Sequence, residues 1–403
     1  MSVTHDDPGL LPPRIEPGEF RDRQRRAREL AARRGLAGVL VWSRGGHTTD
    51  RFYDVQWLAG YTSQFPFIPD GPGWSARSHA ALILPVDGPA VLVADMPAFR
   101  EDLAVADRIE HADDVSAATA AVLADAIPSG QIGVLGADTL AYPWHQAIEG
   151  AVGTGRLERH DDLGWRLRLV KSPAEQVLLR AASRIGSEAV TAVMEACVPG
   201  DTEADAAAAG IAIVVARGAM LHGISISSGP YAHHYAQSQP APFDARRRLE
   251  AGDLARVDLY GSVDGYLFDF GRSRVVGRAP DADQAALLDA VRETTLAGLA
   301  AIRPGVTAGD VARACEAHWA ETTLVRRGLV APTGFAAWGH ATSLCWEEPW
   351  ITVGSDVVLE PGMCFCVEKR QPVPGLGGAN FEETVLVTGD GYELLTTAPR
   401  TFG

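Results

Sequence analysis

Two acidic residues interrupt the apolar pattern of one predicted β-hairpin, in the segment RVDLYGSVDGYLFDFGRSR at residues 256–274. Asp258 and Asp269 lie among Val, Leu and Phe residues, where a carboxylate costs free energy unless a partner compensates it. Their numbers are symmetric about the turn-forming residues 262–265, so the hairpin is expected to place them opposite each other, with Cβ atoms about 5 Å apart. Two carboxylates at that distance repel each other, and a bound divalent cation removes the repulsion.

A second hairpin with the same design is predicted in the C-terminal part of the chain. Glu368 lies in the apolar segment GMCFCVEK and Glu382 in NFEETVLV, and their numbers are symmetric about Gly375. Strand alternation allows only one of Glu382 and Glu383 to face a site on this hairpin. Between the two hairpins lies His340, which follows a glycine near a predicted strand.

These segments supply two aspartates, two glutamates and one imidazole as candidate ligands: Asp258, Asp269, His340, Glu368 and Glu382. Oxygen-rich ligation with one imidazole suits Mn, Fe, Co or Zn ions at hydrolytic sites. Four carboxylates balance the charge of two divalent ions, which can hold and ionise a bridging water. For one acid alone a surface position is the simpler explanation, but the joint mirror-symmetric spacing favours a dinuclear metal site.

The length and charge of the chain limit its architecture and its partners. A chain of 403 residues allows about two domains, and its net charge of -15 argues against a nucleic-acid partner. Seven arginines lie between Arg21 and Arg34, a pattern that favours a helix with a solvated basic face over a binding patch. No apolar run approaches the roughly 18 residues that span a bilayer, and the first residues lack a signal pattern, so a cytoplasmic protein without a membrane partner is expected. The five cysteines form no C-x-x-C motif, which indicates buried reduced thiols.

The strand and helix signals divide the chain into two predicted domains. Residues 1–168 read as an α/β domain with short apolar strands, including a hairpin at 80–95. Ser172 and Glu175 form a predicted capping box around a proline, which indicates the start of a helix in a second domain at 169–403. An aromatic-rich segment of the first domain, at 50–74, is predicted either to line a pocket or to pack in the core.

One loop motif occurs twice in the second domain. The pattern P-G-x-T-x-x-D occurs at residues 199–205 and again at 304–310, each time after one predicted helix and before another. The second domain is therefore predicted to contain two related units of helix, helix and antiparallel strands. The alternative is that capped helices share such loops by chance.

From about Lys171 to the C-terminus the sequence resembles the pita-bread metallopeptidase family, which includes methionine aminopeptidase, prolidase, aminopeptidase P and creatinase. The order Asp, Asp, His, Glu, Glu is that family's ligand order, and the segments GDLARVDLYG, DFGRSR, LEPGMCFCVE and FEETVLVTGDGYELLT are each similar to a family segment. The resemblance implies an α+β fold, in which a C-terminal pita-bread domain with an internal pseudo-twofold repeat follows an α/β N-terminal domain of the creatinase/prolidase type.

The same resemblance implies a role for each candidate ligand. Asp258 would chelate one metal ion, Asp269 and Glu382 would bridge both ions, and His340 and Glu368 would hold the other. Glu382 is chosen over the acid that follows it because the family pattern is a metal-binding Glu followed by a second acid. Glu368 and His340 are the predicted catalytic residues, with Glu368 as the proton shuttle for the bridging hydroxide.

Five further residues are candidate substrate contacts: His233, His234, Trp346, Glu347 and Arg370. The two histidines lie further upstream than the histidine that Xaa-Pro-cleaving members carry before the first aspartate strand, and a solvated loop is the alternative. Trp346 and Glu347 belong to GHATSLCWEEPW, where those members have Gly-His-Gly-x-Gly and a later His-Glu. Arg370 shares a strand face with Glu368 and is placed either to clamp a substrate carboxylate or to form a structural ion pair.

The predicted function is hydrolysis of an amide or peptide C–N bond in a small substrate, of the Xaa-Pro peptidase or prolidase type, through a metal-bridging hydroxide. Open alternatives are a creatinase-like C–N hydrolase and a metal-dependent lyase of a small zwitterion resembling dimethylsulfoniopropionate lyase, although Tyr260 stands where that lyase branch has an additional Asp. A non-catalytic binding module is a third alternative, and retention of all five ligands argues against it. The expected partners are a small molecule or short peptide and a second copy of the chain, as in relatives that dimerise.

Overall fold

The computed structural model describes residues 11–45, 53–63, 65, 68–95, 99–235, 238–331 and 336–402. They form two compact units, one comprising Arg14–Arg168 and the other running from Leu169 to the end of the described chain and including residues 11–13. Both units mix helices with sheets. No helix within the described ranges combines the length and the apolar character needed to cross a membrane.

The first unit contains one six-stranded mixed sheet with the strand order β4-β3-β2-β1-β5-β6. Its elements are α1 (Pro17–Arg33), β1 (Gly38–Arg44), α2 (Tyr53–Ala59), β2 (His79–Pro85), β3 (Val91–Ala94), β4 (Arg108–His111), α3 (Val115–Ala126), β5 (Ile132–Leu135), α4 (Tyr142–Val152), β6 (Leu157–Arg159) and α5 (Asp161–Arg168). The predicted hairpin at 80–95 is confirmed, since β2 and β3 pair as antiparallel neighbours.

Two predictions about the first unit need correction or completion. Arg23 does not belong to a solvated basic face, because it is buried with its Nη1 donating to the Trp57 carbonyl oxygen at 2.9 Å and its guanidinium over the Trp57 ring. In the aromatic segment, Trp57 and Tyr61 are core residues, whereas Trp74 is exposed. Phe52 and Phe67 of that segment lie outside the described residues.

The second unit carries a three-stranded sheet, β7-β8-β9, and a five-stranded sheet, β11-β10-β12-β13-β14. Its elements are α6 (Pro173–Ala196), α7 (Glu203–Ala216), β7 (Met220–Ser228), β8 (Leu254–Val263), β9 (Tyr266–Val275), α8 (Ala282–Ala301), α9 (Ala308–Ala320), α10 (Thr323–Arg326), β10 (Gly339–Thr342), β11 (Trp346–Trp350), β12 (Cys364–Val373), β13 (Gly377–Val387) and β14 (Tyr392–Leu394). The five cysteines are free and buried, as predicted.

Local sequence signals set the helix starts of the second unit. Ser172 caps α6 by accepting from the Glu175 amide, and the Glu175 carboxylate accepts from the Ser172 amide, so the predicted capping box is confirmed. The two P-G-x-T-x-x-D loops behave alike, because Thr202 caps α7 and Thr307 caps α9. Two capped helices followed by antiparallel strands therefore occur twice in chain order, while a pseudo-twofold relation between them stays a prediction.

A buried ion pair joins the two sheets of the second unit. Nη2 of Arg272 on β9 lies 3.3 Å from Oε2 of Glu383 on β13, and both side chains are 1% exposed. Arg272 also donates to the Glu382 carbonyl oxygen, and its guanidinium lies over the Phe381 ring. Glu383 thus points away from the face that carries Glu382, as alternation along the strand requires.

Replacing Glu383 by Gln is expected to lower the free energy of unfolding by roughly 3 kcal/mol, because the Arg272 charge would remain buried without its carboxylate. Urea denaturation measures the change. The matched control is Glu393→Gln, which breaks the half-exposed Arg180–Glu393 pair, with side chains 41% and 39% exposed. Such a pair contributes about 0.5 kcal/mol, and equal losses in the two variants would contradict the assignment of Arg272–Glu383 as a structural pair.

Candidate metal centre

The first predicted carboxylate pair lies on one face of the β8–β9 hairpin, but with a different register from the prediction. Asp258 pairs with Gly271, and Asp269 pairs with Tyr260. The two aspartates are therefore diagonal neighbours rather than direct partners. The reason is the turn: Asp264 and Gly265 have φ values of 47° and 89°, the conformation of a two-residue Asp-Gly turn, which moves the centre of the hairpin by one residue.

The second pair has the predicted register. Glu368 on β12 lies directly opposite Glu382 on β13, and a three-residue connection at 374–376 closes the hairpin. Strand β10 lies on the other side of β12 and places His340 opposite Cys366. Since Cys366 and Glu368 are two positions apart, the histidine and both glutamates share one face of this sheet.

The two hairpins approach each other closely where their acidic faces meet. Asn380 on β13 donates from Nδ2 to the Val257 carbonyl oxygen at 2.8 Å and bonds to Ser273 on β9. A Cβ atom at Gly271 would lie 2.5 Å from Asn380 Nδ2, so a larger residue opposite Asp258 would displace the Asn380 side chain. This close approach brings side chains more than a hundred positions apart in the sequence into one cluster.

Two overlapping groups of possible ligand atoms result. One oxygen from each of Asp258, Asp269 and Glu382 forms the first group, and His340, Cys366 and Glu382 form the second, with all atoms of a group within 4.8 Å of one another. Glu382 belongs to both groups. The fifth predicted ligand, Glu368, is its cross-strand partner rather than a member of either compact group.

Neighbouring donors orient the acidic side chains. Tyr235 donates from its hydroxyl to Asp258 Oδ2 at 3.2 Å, and Trp346 donates from Nε1 to Asp269 Oδ2. Nε2 of His340 lies 3.7 Å from Asp269 Oδ2, and its Nδ1 lies 3.0 Å from the Ala341 carbonyl oxygen. A hydrogen bond from Nδ1–H to that carbonyl would leave Nε2 as the nitrogen that faces the cluster.

The electrostatics of the cluster show a surplus of negative charge. Burial, followed by the charges of Asp269 and Glu368, raises the pKa of Asp258 to about 7. Burial and neighbouring carboxylates also raise the pKa of Glu368 and of Glu382. Burial lowers the pKa of His340, but the nearby carboxylates of Asp269 and Glu368 outweigh that effect, so the pKa is raised overall.

The chemistry of the side chains in this cluster fits a divalent cation. Oε1 of Glu382 is buried and has no hydrogen-bond partner among the described residues. An unpartnered carboxylate oxygen in a buried site is costly, and a metal ion would satisfy it while removing the repulsion between the acids. The donor set of carboxylate oxygens and one imidazole suits Mn, Fe, Co or Zn.

Cys366 is a member of the cluster that the sequence reasoning did not select. Its thiol lies 3.3 Å from Thr384 Oγ1 and next to His340 and Glu382. Strand alternation was the available signal, since Cys366 is two positions from Glu368 and shares its face.

The predicted substrate contacts fall in three places. His233 and Arg370 line a cavity of about 310 Å³, and the His234 ring lies 3.9 Å from that of His233. Trp346 contacts Asp269 directly, so the structure gives it an orienting contact with a candidate ligand. Glu347 is buried and accepts a hydrogen bond from Ser343. Roles for these residues in substrate binding stay predictions.

The raised pKa values predict how the stability of metal-free protein depends on pH. Acids whose pKa is higher in the folded state stabilise the fold fully below their unfolded pKa, and this stabilisation is lost as pH rises through the folded pKa. For Asp258 the window runs from about pH 4 to about pH 7. Chelator-treated protein is therefore expected to lose roughly 5 °C or more in Tm between pH 4.5 and 7.5 relative to metal-loaded protein, measured by calorimetry. If the Tm of the protein changed with pH to the same extent with and without metal, this prediction would be contradicted.

Comparison with known proteins shows that this chain is similar to metallopeptidases. The family model described as metallopeptidase family M24 matches residues 177–389. The chain is 36% identical over 242 residues to the probable dipeptidase PepE of Mycobacterium tuberculosis, covering 58% of this chain and 60% of that protein. It is 26% identical over 270 residues to the Xaa-Pro dipeptidase of Pyrococcus horikoshii, covering 65% of this chain and 72% of that protein.

Solved structures extend the similarity over nearly the whole chain. Dipeptidase PepE from Mycobacterium ulcerans superposes with a TM-score of 0.76 at 27% identity, covering 97% of this chain and 99% of that chain. The prolidase of Pyrococcus horikoshii has a TM-score of 0.75 at 20% identity, covering 94% and 99%, which shows a shared fold. Because the family match spans more than half of the sequence and includes all five predicted ligands, the chain belongs to metallopeptidase family M24.

Proposed function

We propose that this protein is a dinuclear-metal-dependent hydrolase that cleaves dipeptides, including those of the Xaa-Pro type. The observation that carries the proposal is the buried cluster in which oxygens of Asp258, Asp269 and Glu382 lie within 4.8 Å of one another. Within the described part of the chain, one Glu382 oxygen has no hydrogen-bond partner. Similarity to proteins named dipeptidase and Xaa-Pro dipeptidase supports the substrate class.

The proposed ligand set is the one the sequence indicates: Asp258, Asp269, His340, Glu368 and Glu382. Two bound divalent cations would polarise the scissile carbonyl and lower the pKa of an attacking water. The donors Tyr235 and Trp346 hold the two aspartates in fixed orientations. The Cys366 thiol lies beside the same cluster, 3.3 Å from Thr384 Oγ1.

We assign the proton transfer of this reaction to a side chain of the protein. Hydrolysis adds the water oxygen to the carbonyl carbon and breaks the C–N bond, so one proton must move from the water to the leaving nitrogen. We assign this transfer to Glu368, which lies across the strand pair from Glu382 and shares its strand face with the cavity-lining Arg370, two positions further along β12. His340 lies at one side of the cluster, with its Nε2 3.7 Å from Asp269 Oδ2.

The proposal also includes the arrangement of the second unit, the oligomeric state and the location of the protein. A pita-bread arrangement with a pseudo-twofold axis is consistent with the two series of capped helices and antiparallel strands in the second unit. A homodimer and a cytoplasmic location stay predictions from the sequence.

The test is hydrolysis of a dipeptide panel by purified protein loaded separately with Mn, Co, Zn or Fe(II). The panel contains Xaa-Pro, Pro-Xaa and Xaa-Xaa dipeptides, and product formation in oxygen-18 water identifies hydrolysis, because a lyase incorporates no label. We expect cleavage that chelation abolishes and metal restores. Full dipeptide hydrolysis in a chelator-treated sample would end this proposal.

A further inference from the structure

The two groups of possible ligand atoms in the metal centre differ in their chemistry. Asp258, Asp269 and Glu382 offer only carboxylate oxygens. The group of His340, Cys366 and Glu382 offers an imidazole nitrogen, a thiol sulfur and a carboxylate oxygen. Carboxylate oxygens suit Mn and Mg ions, whereas imidazole nitrogen and thiolate sulfur suit Zn. The two positions are therefore expected to favour different cations.

Three adjacent strands bring the mixed group of donors together. Cys366 on β12 pairs directly with His340 of β10 on one side and with Thr384 of β13 on the other. Glu382 is two positions from Thr384 and shares its face of the sheet. Directly paired residues have Cβ atoms about 5 Å apart, and the diagonal distance of about 7 Å is within reach of a long side chain. A cation held between His340 and Glu382 would therefore lie above the short side chain of Cys366.

The side chains of the mixed group are buried and have lone pairs to offer. Cys366 is 1% exposed, and Oε1 of Glu382 has no hydrogen-bond partner within the described ranges. The cysteine is free, so no disulfide occupies its sulfur. Its Sγ lies 3.3 Å from Thr384 Oγ1, and either atom of this pair could be the donor. A threonine hydroxyl that donates to Sγ would stabilise a thiolate and leave sulfur lone pairs for a metal ion.

We propose that Cys366 is an additional metal ligand, whose thiolate binds the cation held by His340 and Glu382 and makes that position selective for zinc over manganese. The inference deepens the proposed function and rests on it for the presence of a cation in the cluster. Binding forms a metal–sulfur bond while the thiol proton passes to the buffer, so the step needs no oxidant or reductant.

The first test is a titration of metal-free protein with Co(II), followed by absorption spectroscopy, which needs no turnover. A sulfur ligand gives a thiolate-to-cobalt charge-transfer band in the near ultraviolet, whereas oxygen and nitrogen ligands give only weak visible bands. We expect the band in the wild type and expect Cys366→Ala and Cys366→Ser to lack it. A folded, cobalt-loaded wild type without this band would overturn the inference, whether or not the variants fold.

The matched control is Cys364→Ala, which removes another buried thiol from the same face of β12. Cys364 lies two positions before Cys366 and pairs with Leu386, one step further from Glu382. This variant is expected to keep the charge-transfer band. A band that disappears in Cys364→Ala and persists in Cys366→Ala would overturn the assignment of the ligand.

The second test compares the affinities of the wild type and the variants for Zn and Mn by competition with a chelating dye. Cys366→Ala is expected to weaken zinc binding at one position by about 100-fold, since even contacts outside the ligand shell contribute up to that amount. Manganese binding at the all-oxygen position is expected to change by less than about 3-fold, because that position contains no sulfur. Most sites bind Zn more tightly than Mn, so the diagnostic quantity is the change on substitution.

Equal losses of zinc and manganese affinity in Cys366→Ala would indicate a purely structural role and overturn the inference. Dipeptide hydrolysis by a wild type that lacks the charge-transfer band would likewise overturn it while leaving the proposed function standing. A cobalt–sulfur band with zinc selectivity, in a protein that cleaves no dipeptide, would support the sulfur ligand and refute the proposed function.

Discussion

Glu382→Gln is expected to lower kcat/KM by at least about 1000-fold and to remove most of the bound metal. Among the described residues, Glu382 is shared by both groups of possible ligand atoms. Its buried Oε1 has no hydrogen-bond partner among the described residues, and a bound cation would satisfy that oxygen. A neutral amide keeps the size of the side chain but binds a divalent cation much more weakly.

The control for this substitution is another buried acid of the same unit. Glu203 is 2% exposed and accepts hydrogen bonds from the Ser228 hydroxyl and the Asp244 amide, away from the cluster. Glu203→Gln is expected to keep activity and metal content within 3-fold of the wild type. Metal content is measured by plasma mass spectrometry, and a Glu382→Gln variant with wild-type metal content would contradict the ligand assignment.

Glu368→Gln is expected to lower kcat by about 100- to 10,000-fold, because it removes the carboxylate to which we assign the proton transfer. KM is expected to change by less than 5-fold, since the substitution leaves the cavity residues in place. The variant is expected to retain at least one metal ion per chain, because Asp258, Asp269 and Glu382 still converge.

The pH profile separates proton transfer from a structural role of Glu368. A proton shuttle gives the wild-type kcat profile a limb that the variant lacks, whereas a structural residue changes only the height of the profile. A Glu368→Gln enzyme with the wild-type pH dependence and an equally reduced rate at every pH would argue against the shuttle. Circular dichroism checks that the variant is folded.

The sequence predicted the parts of the site that depend on local rules. The hairpin of Glu368 and Glu382 follows from strand alternation around a Pro-Gly turn, and the structure has that register. The capped helices α6, α7 and α9 follow from short motifs at their N-termini. Such signals act over a few residues, which is why they could be recognised without a structure.

The pairing of Asp258 with Asp269 was predicted wrongly, and the contacts that orient these two side chains were not predicted. For Asp258 and Asp269 the symmetric spacing suggested a four-residue turn, but the tight Asp264-Gly265 turn is the stronger signal and changed their pairing. The contacts of Tyr235 with Asp258 and of Trp346 with Asp269 join segments far apart in the chain. No local periodicity encodes which distant side chain will fill the space beside a buried acid.

Anomalous diffraction from crystals of cobalt-loaded protein, recorded at the cobalt absorption edge, tests the central claim most directly. We predict two anomalous peaks in the second unit, each about 2.1 Å from an oxygen of Asp269 and an oxygen of Glu382, with one of them next to His340 Nε2. Crystals of catalytically active, cobalt-loaded protein that show no peak among these side chains would contradict the account.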